Sequence, residues 1–351
     1  MRHAWTARFG AALLLAALPA SAQSFVGSAA FGGSGVFSDG LDPAGNPARF
    51  DRAPAGVYLG GDLGDLKPRG EAQALEDLLA ASGDPARLAP ALQALADRPW
   101  ALRERAYGLA WAGTGGLRLG YTREDLRGSF ATVDPSALSA TLDARQAVVD
   151  RLYAGAGSLA GTTAFGFKVR LERVRFGQVA FATAPGPGQR LLTDPQAPLD
   201  ALDRTGSVTS ATLDLGLVQA LGSRARFGLT LDRVAGRWFG DLHEQPLGRA
   251  GLQVDLGASV QLAVESDLNA VARLPLPVKR RVGSASLRLA LSGGSFLTVG
   301  AERRRYAEGP ASTVLGAALH LQLAPLQLTF GLRFGDDHPL AAAAIRLPGA
   351  P

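Results

Sequence analysis

The sequence predicts an all-β protein, a transmembrane antiparallel β-barrel of about fourteen strands. Three observations carry this prediction: an export signal at the amino terminus, long alternation of apolar and polar residues, and no later run of 18 apolar residues. Hydrophobic residues make up 47% of the chain and glycine contributes 44 residues. Because this apolar content is spread over short alternating segments, it is typical of strands that face lipid on one side and a lumen on the other.

Residues 1–22 have the pattern of a secretory signal peptide. Arg2 and Arg8 give a positive start, an apolar run of ten residues follows from Phe9 to Leu18, and Pro19-Ala20-Ser21-Ala22 supplies small residues. The run is too short to cross a membrane as a helix. We therefore expect cleavage near Ala22 and a place in the outer membrane of a Gram-negative-type cell, and a cytoplasmic amino-terminal helix is disfavoured.

The charge and the cysteine content exclude several function classes. Loss of residues 1–22 removes two arginines, so the net charge falls from +5 to +3. No concentrated basic face is evident, which argues against a nucleic-acid partner. Two short basic runs, Lys279-Arg280-Arg281 and Arg303-Arg304-Arg305, fit strand ends at a headgroup or loop boundary. The absence of cysteine excludes disulfides, thiolate metal sites and cysteine catalysis.

The strands are predicted from a period of two. In the clearest example, Leu252, Val254, Leu256, Ala258, Val260, Leu262 and Val264 alternate with residues that are mostly polar or small. The fourteen predicted strands are 55–63, 103–113, 116–134, 139–157, 162–184, 205–221, 224–240, 248–257, 259–270, 280–291, 294–306, 310–323, 325–334 and 338–348. Leu142, Val149 and Leu152 also share a helical face, so a helix remains the less favoured alternative for 139–157.

Connection lengths favour closure and give an orientation. Tight turns such as Thr114-Gly115 and Gly222-Ser223 alternate with longer connections such as 64–102 and 185–204. Outer-membrane barrels combine short periplasmic turns with longer extracellular loops. A soluble sandwich would also alternate, but it would leave edge strands that a closed barrel avoids.

Two stretches are predicted to lie outside the barrel wall. Residues 23–54 are rich in glycine, alanine and serine, and are predicted to lie apart from the wall of the barrel at 55–351. Phe31 and Phe37 are candidate ligand contacts there, and anchoring of this segment or of the barrel rim is the favoured alternative. Residues 70–98 are predicted to form two short helices in an extracellular loop, with Asp84 capping the second.

The two helices carry an apolar stripe. It contains Leu75, Leu78, Leu79, Leu88, Leu92 and Leu95. Packing of the helices is the favoured role for this stripe, and capture of an apolar ligand, with Leu75, Leu78, Leu79, Leu88 and Leu92 as candidate contacts, is the alternative. Pro85 suits the first helical position, and Pro90 would kink or restart the second helix.

The alternation also places charged residues in the lumen. They are Asp214, Asp232, Asp255, Glu265, Arg288, Glu302, Arg304 and Arg333. A structural salt-bridge network is favoured over an ion-selecting ring of the porin-like kind. No enzyme, cofactor or metal site is predicted: His320 falls on the lumen face without a catalytic motif, and Asp336-Asp337-His338 fits a solvated turn.

The segment from Gly32-Gly33-Ser34-Gly35-Val36 to Asn46-Pro47-Ala48 resembles the start of mature FadL-like outer-membrane barrels. Arg173-Val174-Arg175-Phe176-Gly177 and Glu265-Ser266-Asp267-Leu268-Asn269 resemble strands of the TraF-like, conjugal-transfer branch and, more distantly, the PorV-like branch. The resemblance implies a fourteen-stranded barrel with an amino-terminal plug, residues 23–54, inside the lumen. It implies passive transport of a long-chain fatty acid or another hydrophobic ligand. The alternative it implies is a partner of envelope secretion or transfer proteins.

Overall fold

A computed structural model describes most of the chain beyond the amino-terminal region. The described residues are 36, 45–52, 55–65, 71–81, 84–96, 101–134, 136–183, 185–193, 206–239, 242–274, 276–307, 311–334 and 340–348. The signal peptide and most of 23–44 lie outside them, so cleavage and the plug stay predictions. No described helix is long and apolar enough to cross a membrane.

Fourteen long antiparallel strands form the wall. They are β1 (Gly56–Asp65), β2 (Ala101–Ala112), β3 (Leu117–Asp134), β4 (Ser139–Ala160), β5 (Thr163–Ala182), β7 (Gly206–Leu221), β8 (Ala225–Asp232), β11 (Leu247–Asp255), β12 (Val260–Asp267), β14 (Leu276–Ala290), β15 (Phe296–Tyr306), β16 (Ser312–Leu323), β17 (Leu326–Phe334) and β18 (Leu340–Pro348). Neighbours along the chain pair in order, and β1 also pairs with β18, from Gly56 opposite Pro348 to Asp65 opposite Leu340. The sheet is therefore a closed barrel with no free edge among these strands.

Four short strands lie off this wall. β6 (Gln189–Leu191) pairs with β5, and β13 (Val271–Arg273) pairs with β14. β9 (Arg237–Phe239) and β10 (Leu242–Glu244) form a separate two-stranded hairpin. Short 3-10 helices cover Pro47–Arg52, Thr114–Gly116 and Ser292–Gly294.

The predicted strands are confirmed, including 139–157, which forms β4 and not a helix. Thirteen predicted strands end within four residues of the observed bounds. The exception is 224–240, where the wall strand stops at Asp232 and the chain turns away through Arg233, whose φ is 54°. A non-glycine residue in this left-handed region breaks the extended backbone that a strand requires.

Side chains alternate across the wall as the sequence predicts. Leu59 and Leu152 are each 57% exposed on the outer face, whereas Lys168 and Asp214 on the inner face are fully buried. The outer face is an apolar band of the kind that meets lipid around membrane barrels. The inner face is polar, so the two faces of each strand have opposite solvent preferences.

The two ends of the barrel differ. At one end the connections are tight, with Gly161 and Gly222 at φ values of 62° and 77° in two of the turns. These positive φ values are strained for residues that carry a Cβ, which explains the glycines. The other end carries the longer connections 66–100, 183–205 and 233–246. We refer to them as the short-turn end and the long-loop end; which one faces the cell exterior stays a prediction.

Two helices pack at the long-loop end. α1 (Glu71–Ala80) and α2 (Pro85–Ala96) form in the predicted 70–98 region, and the Asp84 side chain accepts a hydrogen bond of 3.0 Å from the Ala86 amide. α2 continues through Pro90, at which the sequence predicts a kink or a restart.

The helices lie on the outer side of the wall, where β4 and β5 extend beyond the apolar band. Leu78 and Leu92, both 1% exposed, pack against a cluster that includes Leu142 and Phe181. Leu142 lies ten residues before the lipid-facing Leu152 along β4, so both point to the outer face. The predicted packing role of the leucine stripe is therefore seen, but against the strands as well as between the helices.

Candidate functional site: the lumen and the wall groove

Paired charges line the inner face of the barrel. All eight charged residues predicted to face the lumen do so. Arg304 donates to Glu302 at 2.6 Å, Arg226 lies 3.6 Å from Asp255, and Arg170 pairs with Asp214. These carboxylates and guanidinium groups form ion pairs with one another, as expected for a structural network.

Glu172 is the centre of this network. Its carboxylate is fully buried on β5, and Arg151 of β4 donates to it at 2.5 Å. Arg237 pairs with its second oxygen, and Arg170 approaches within 3.9 Å. Glu124 also pairs with Arg151. One buried carboxylate thus holds side chains from three strands and is itself held by three positive charges.

The β9–β10 hairpin folds onto the inner face of the wall. Arg237 donates to Glu244 at 2.6 Å within the hairpin, and the Leu274 amide donates to the other Glu244 oxygen at 3.1 Å. Phe239 packs on the inward-facing Val149 and Val174 in an apolar cluster, and its ring meets that of Phe176 edge-on at 6.4 Å. The hairpin therefore occupies part of the lumen at the long-loop end.

Sequence reasoning missed this hairpin, because Arg237-Trp238-Phe239 alternates like a wall strand. One signal was available: Arg233-Val234-Ala235-Gly236 interrupts the period of two. On the side away from the wall, Trp238 stacks on His243 with ring centroids 4.0 Å apart, and Trp238 is 64% exposed.

Burial and neighbouring charges shift the pKa values of two hairpin residues. Burial alone would raise the pKa of Glu244, but Arg233 and Arg237 outweigh that effect and hold the pKa at about 2. Burial and the neighbouring Arg233 lower the pKa of Arg237 to about 10. Both members of the Arg237–Glu244 pair therefore stay charged at neutral pH.

We expect hairpin docking to be insensitive to pH between 7 and 5. The folded pKa of Glu244 lies below its ordinary value of 4.5, so its stabilising contribution is complete above about 4.5 and is lost as the pH falls toward 2. Limited proteolysis with an acid-stable protease would measure this as cleavage in 236–245 that rises below pH 4.5. Glu244→Gln should be cleaved at all pH values without that rise; a rise of the same size in this variant would contradict the assignment.

The amino-terminal segment docks on the inner wall near the short-turn end. The Asn46 side-chain amide donates to the Leu217 and Leu229 carbonyls at 3.3 Å each, and its oxygen accepts from the Ala48 amide at 3.0 Å. The Lys168 ammonium donates to the Gly45 carbonyl at 3.1 Å. Asn46 is completely buried, so its polar atoms are satisfied by the wall and by its own turn.

Glycines in the wall make this close approach possible. A Cβ on Gly166 of β5 would lie less than 3.0 Å from the Pro47 carbonyl, and one on Gly216 of β7 would meet the Asn46 side-chain oxygen equally closely. A Cβ on Gly155 of β4 would overlap the Phe50 ring. The Asn46-Pro47-Ala48 motif singled out in the sequence is therefore seated on three strands that lack side chains at the points of contact.

Of the seven candidate ligand contacts, four have side chains in the described part of the chain. Phe31 and Phe37 lie outside the described residues, as do the side chains of Leu75 and Leu95. Leu78, Leu79, Leu88 and Leu92 belong to the packed cluster between the helices and the strands. The structure gives these four leucines packing contacts, and contact with a ligand stays a prediction for all the candidates.

An apolar groove of about 570 Å³ lies on the outer face of β2 to β5. Its lining residues are Leu109, Trp111, Leu119, Tyr121, Leu152, Ala154, Val169 and Leu171, together with Gly120 and Tyr153. The last two face the lumen, and a Cβ on Gly120 would overlap the Tyr153 ring. At this point the backbone of β3 and one aromatic ring separate the groove from the lumen. The sequence could not reveal this groove, because it depends on the alignment of four strands.

His320 lies in the lumen wall, as predicted. Its Nδ1 is 2.9 Å from the Thr329 hydroxyl, and its ring stacks on Phe296 with centroids 4.0 Å apart. His338 and its two preceding aspartates lie outside the described residues. Among the residues that are described, no group of three histidine, aspartate or glutamate side chains is arranged to hold a metal ion.

Solved structures with the same architecture are known. The monoaromatic hydrocarbon channel CymD matches with a TM-score of 0.52 at 12% identity, over 91% of this chain and 95% of that one. The toluene transporter TodX of Pseudomonas putida matches with a TM-score of 0.51 at 9% identity, over 93% and 97% of the two chains. This chain shares their fold. No family model and no curated protein matches the sequence.

Proposed function

We propose that this protein is an outer-membrane channel for passive transport of a hydrophobic small molecule. The observation that carries the proposal is a barrel whose inner charges are buried and paired, while its apolar groove opens on the outer face, in the half of the wall nearer the short-turn end. A general porin needs a water-filled lumen, and the buried Glu172 network and the inward hairpin leave little room for one.

The comparisons support the same substrate class. The two similar structures are described as a hydrocarbon channel and a toluene transporter. The predicted long-chain fatty acid and smaller aromatic hydrocarbons are both apolar enough for the groove, and we infer that the transported molecule contacts Leu152 and Leu171 there. The partner that the barrel requires is the lipid bilayer. No described feature favours the secretion or conjugal-transfer role, and the signal peptide and the plug complete the proposal as sequence predictions.

The test is uptake by reconstituted mature protein. Proteoliposomes with lipopolysaccharide in the outer leaflet would be given either a fluorescent long-chain fatty acid or N-phenyl-1-naphthylamine. We expect saturable uptake of at least one of them and no swelling in arabinose, which a porin would admit. Ala154→Trp, which fills the groove, should reduce uptake at least about tenfold, the magnitude expected for a lost fit in an apolar site.

Ala301→Trp is the matched control, because it also adds a tryptophan to the outer face, on β15 far from the groove. This variant should transport like the unmodified protein. Absence of uptake by a folded, heat-modifiable barrel would reject hydrophobic transport. Equal uptake by both tryptophan variants would reject the groove as its path.

A further inference from the structure

Three exposed arginines form a patch on the outer face of β14 and β15. Arg281 and Arg305 are direct cross-strand partners, and Arg303 is opposite Gly283 one step closer to the apolar band. All three side chains are exposed, and the exposed Lys279 follows on the same face. We call Arg281, Arg303 and Arg305 the basic patch.

The close placement of these three positive charges is unfavourable by itself. Like charges directly opposite each other on one face of a sheet repel. On the outer face the flanking positions are Ser266 of β12 and Thr313 of β16, and neither is acidic. Within the described part of the chain, no carboxylate lies within ion-pair distance of the three guanidinium groups. The nearby acids, such as Glu302, point into the lumen.

Two other outer-face arginines are neutralised. On β3 and β5, Arg123 and Arg175 share the Asp150 carboxylate at 3.7 and 2.8 Å. The basic patch has no such partner, although Arg281 is held in place by a hydrogen bond of 2.7 Å from its Nε to the Asp267 carbonyl. Its remaining guanidinium nitrogens are thus oriented at the surface with their donors available.

The position of the basic patch relative to the apolar band indicates which part of the bilayer it contacts. On β15, Arg303 lies two residues beyond Ala301, at the edge of the apolar band, and Arg305 lies four residues beyond it, both toward the long-loop end. The patch therefore begins roughly 7 Å beyond the band and extends to roughly 14 Å. Headgroups lie at this level when the band is embedded in lipid. Guanidinium groups bind phosphate oxygens in a bidentate manner and are the preferred side chains for that task.

We propose that the basic patch binds the phosphate groups of a lipid in the leaflet at the long-loop end. The proposal rests on the membrane location in the proposed function but not on transport. The lipid phosphates supply the negative charge that the wall lacks, and the acyl chains continue along the outward Ala285 and Leu287 of β14. This lipid would fix the barrel's height in the membrane.

The experiment uses the mature protein in phosphatidylcholine nanodiscs titrated with bisphosphorylated lipid A, with bound lipid counted by native mass spectrometry. The triple variant R281Q/R303Q/R305Q is expected to bind on the order of 100-fold more weakly, because each arginine near an anionic surface contributes about a fivefold factor. Binding to the unmodified protein should weaken as salt is raised.

Two controls separate recognition from folding and from net charge. The triple variant R281K/R303K/R305K keeps the charges and should retain binding within about tenfold, since it loses only the bidentate geometry. Arg224→Gln removes one exposed arginine from a turn at the short-turn end and should change nothing. Equal binding by the glutamine triple, or equal binding of lipid A and its dephosphorylated form, would overturn the proposal. Lipid binding without uptake would reject transport alone, and uptake without a phosphate preference would reject this inference alone.

Discussion

Glu172→Gln is expected to release the inward hairpin and to destabilise the barrel by about 3–5 kcal/mol, the cost of breaking a buried ion pair on one side. Arg151 and Arg237 would lose their shared carboxylate, and Arg170 lies close enough to add to the repulsion. Chemical denaturation in detergent would give the free energy of unfolding. Trypsin cleavage after Arg237 and single-channel conductance would report the hairpin, and both should rise.

The control for this variant is Asp255→Asn. Asp255 pairs with Arg226 at 3.6 Å, and both side chains are partly exposed. Loss of such a pair costs about 1 kcal/mol or less. The double variant E172Q/R237Q should recover part of the stability because it removes one of the stranded positive charges. Unchanged trypsin resistance in Glu172→Gln would show that the hairpin is held by its apolar contacts alone.

Gly166→Ala is expected to expel the amino-terminal segment from the wall. The added Cβ would overlap the Pro47 backbone, which cannot rotate away as a side chain could. Overpacking of this kind costs about 1–3 kcal/mol, more than a docked turn can absorb without moving. The chain has no cysteine, so Ala48→Cys provides a single reporter at a completely buried position.

Maleimide labelling of Ala48→Cys should be slow in the parent and faster by at least about tenfold with Gly166→Ala, as expected for a shift of about 1.4 kcal/mol in docking. Gly257→Ala is the matched control, because a Cβ there meets no atom within 4 Å. If labelling stays slow in the Gly166→Ala background, the segment is not held at this glycine. If the segment gates transport, the same variant should also change the uptake rate.

The wall was the most predictable part of the molecule. Each strand can be predicted from its own sequence, because a period of two over eight or more residues fits few other secondary structures. Leu315 to Leu323 of β16 is an example. The same alternation assigned Asp214 and His320 to the lumen. Tight turns were visible as glycine-containing breaks between strands, and Asp84 followed by Pro85 marked the start of α2.

The site was less predictable because it depends on contacts between distant segments. Asn46-Pro47-Ala48 is recognisable as a motif in the sequence, but the surface on which it docks is formed by Gly155, Gly166 and Gly216 on three different strands. The leucine stripe of α1 and α2 predicted packing, but it could not name β4 and β5 as partners. The partners are set by how far those strands rise beyond the apolar band.

The sequence by itself determined that this chain forms a barrel with an apolar outside and a charged inside, because alternation and turn chemistry are local properties of the backbone. Tertiary structure alone decided that the charges meet at Glu172, that Arg237-Trp238-Phe239 turns inward, and that Arg281 faces Arg305 without a carboxylate. These features follow from register and closure, which bring together residues far apart in sequence and fix which charges are paired.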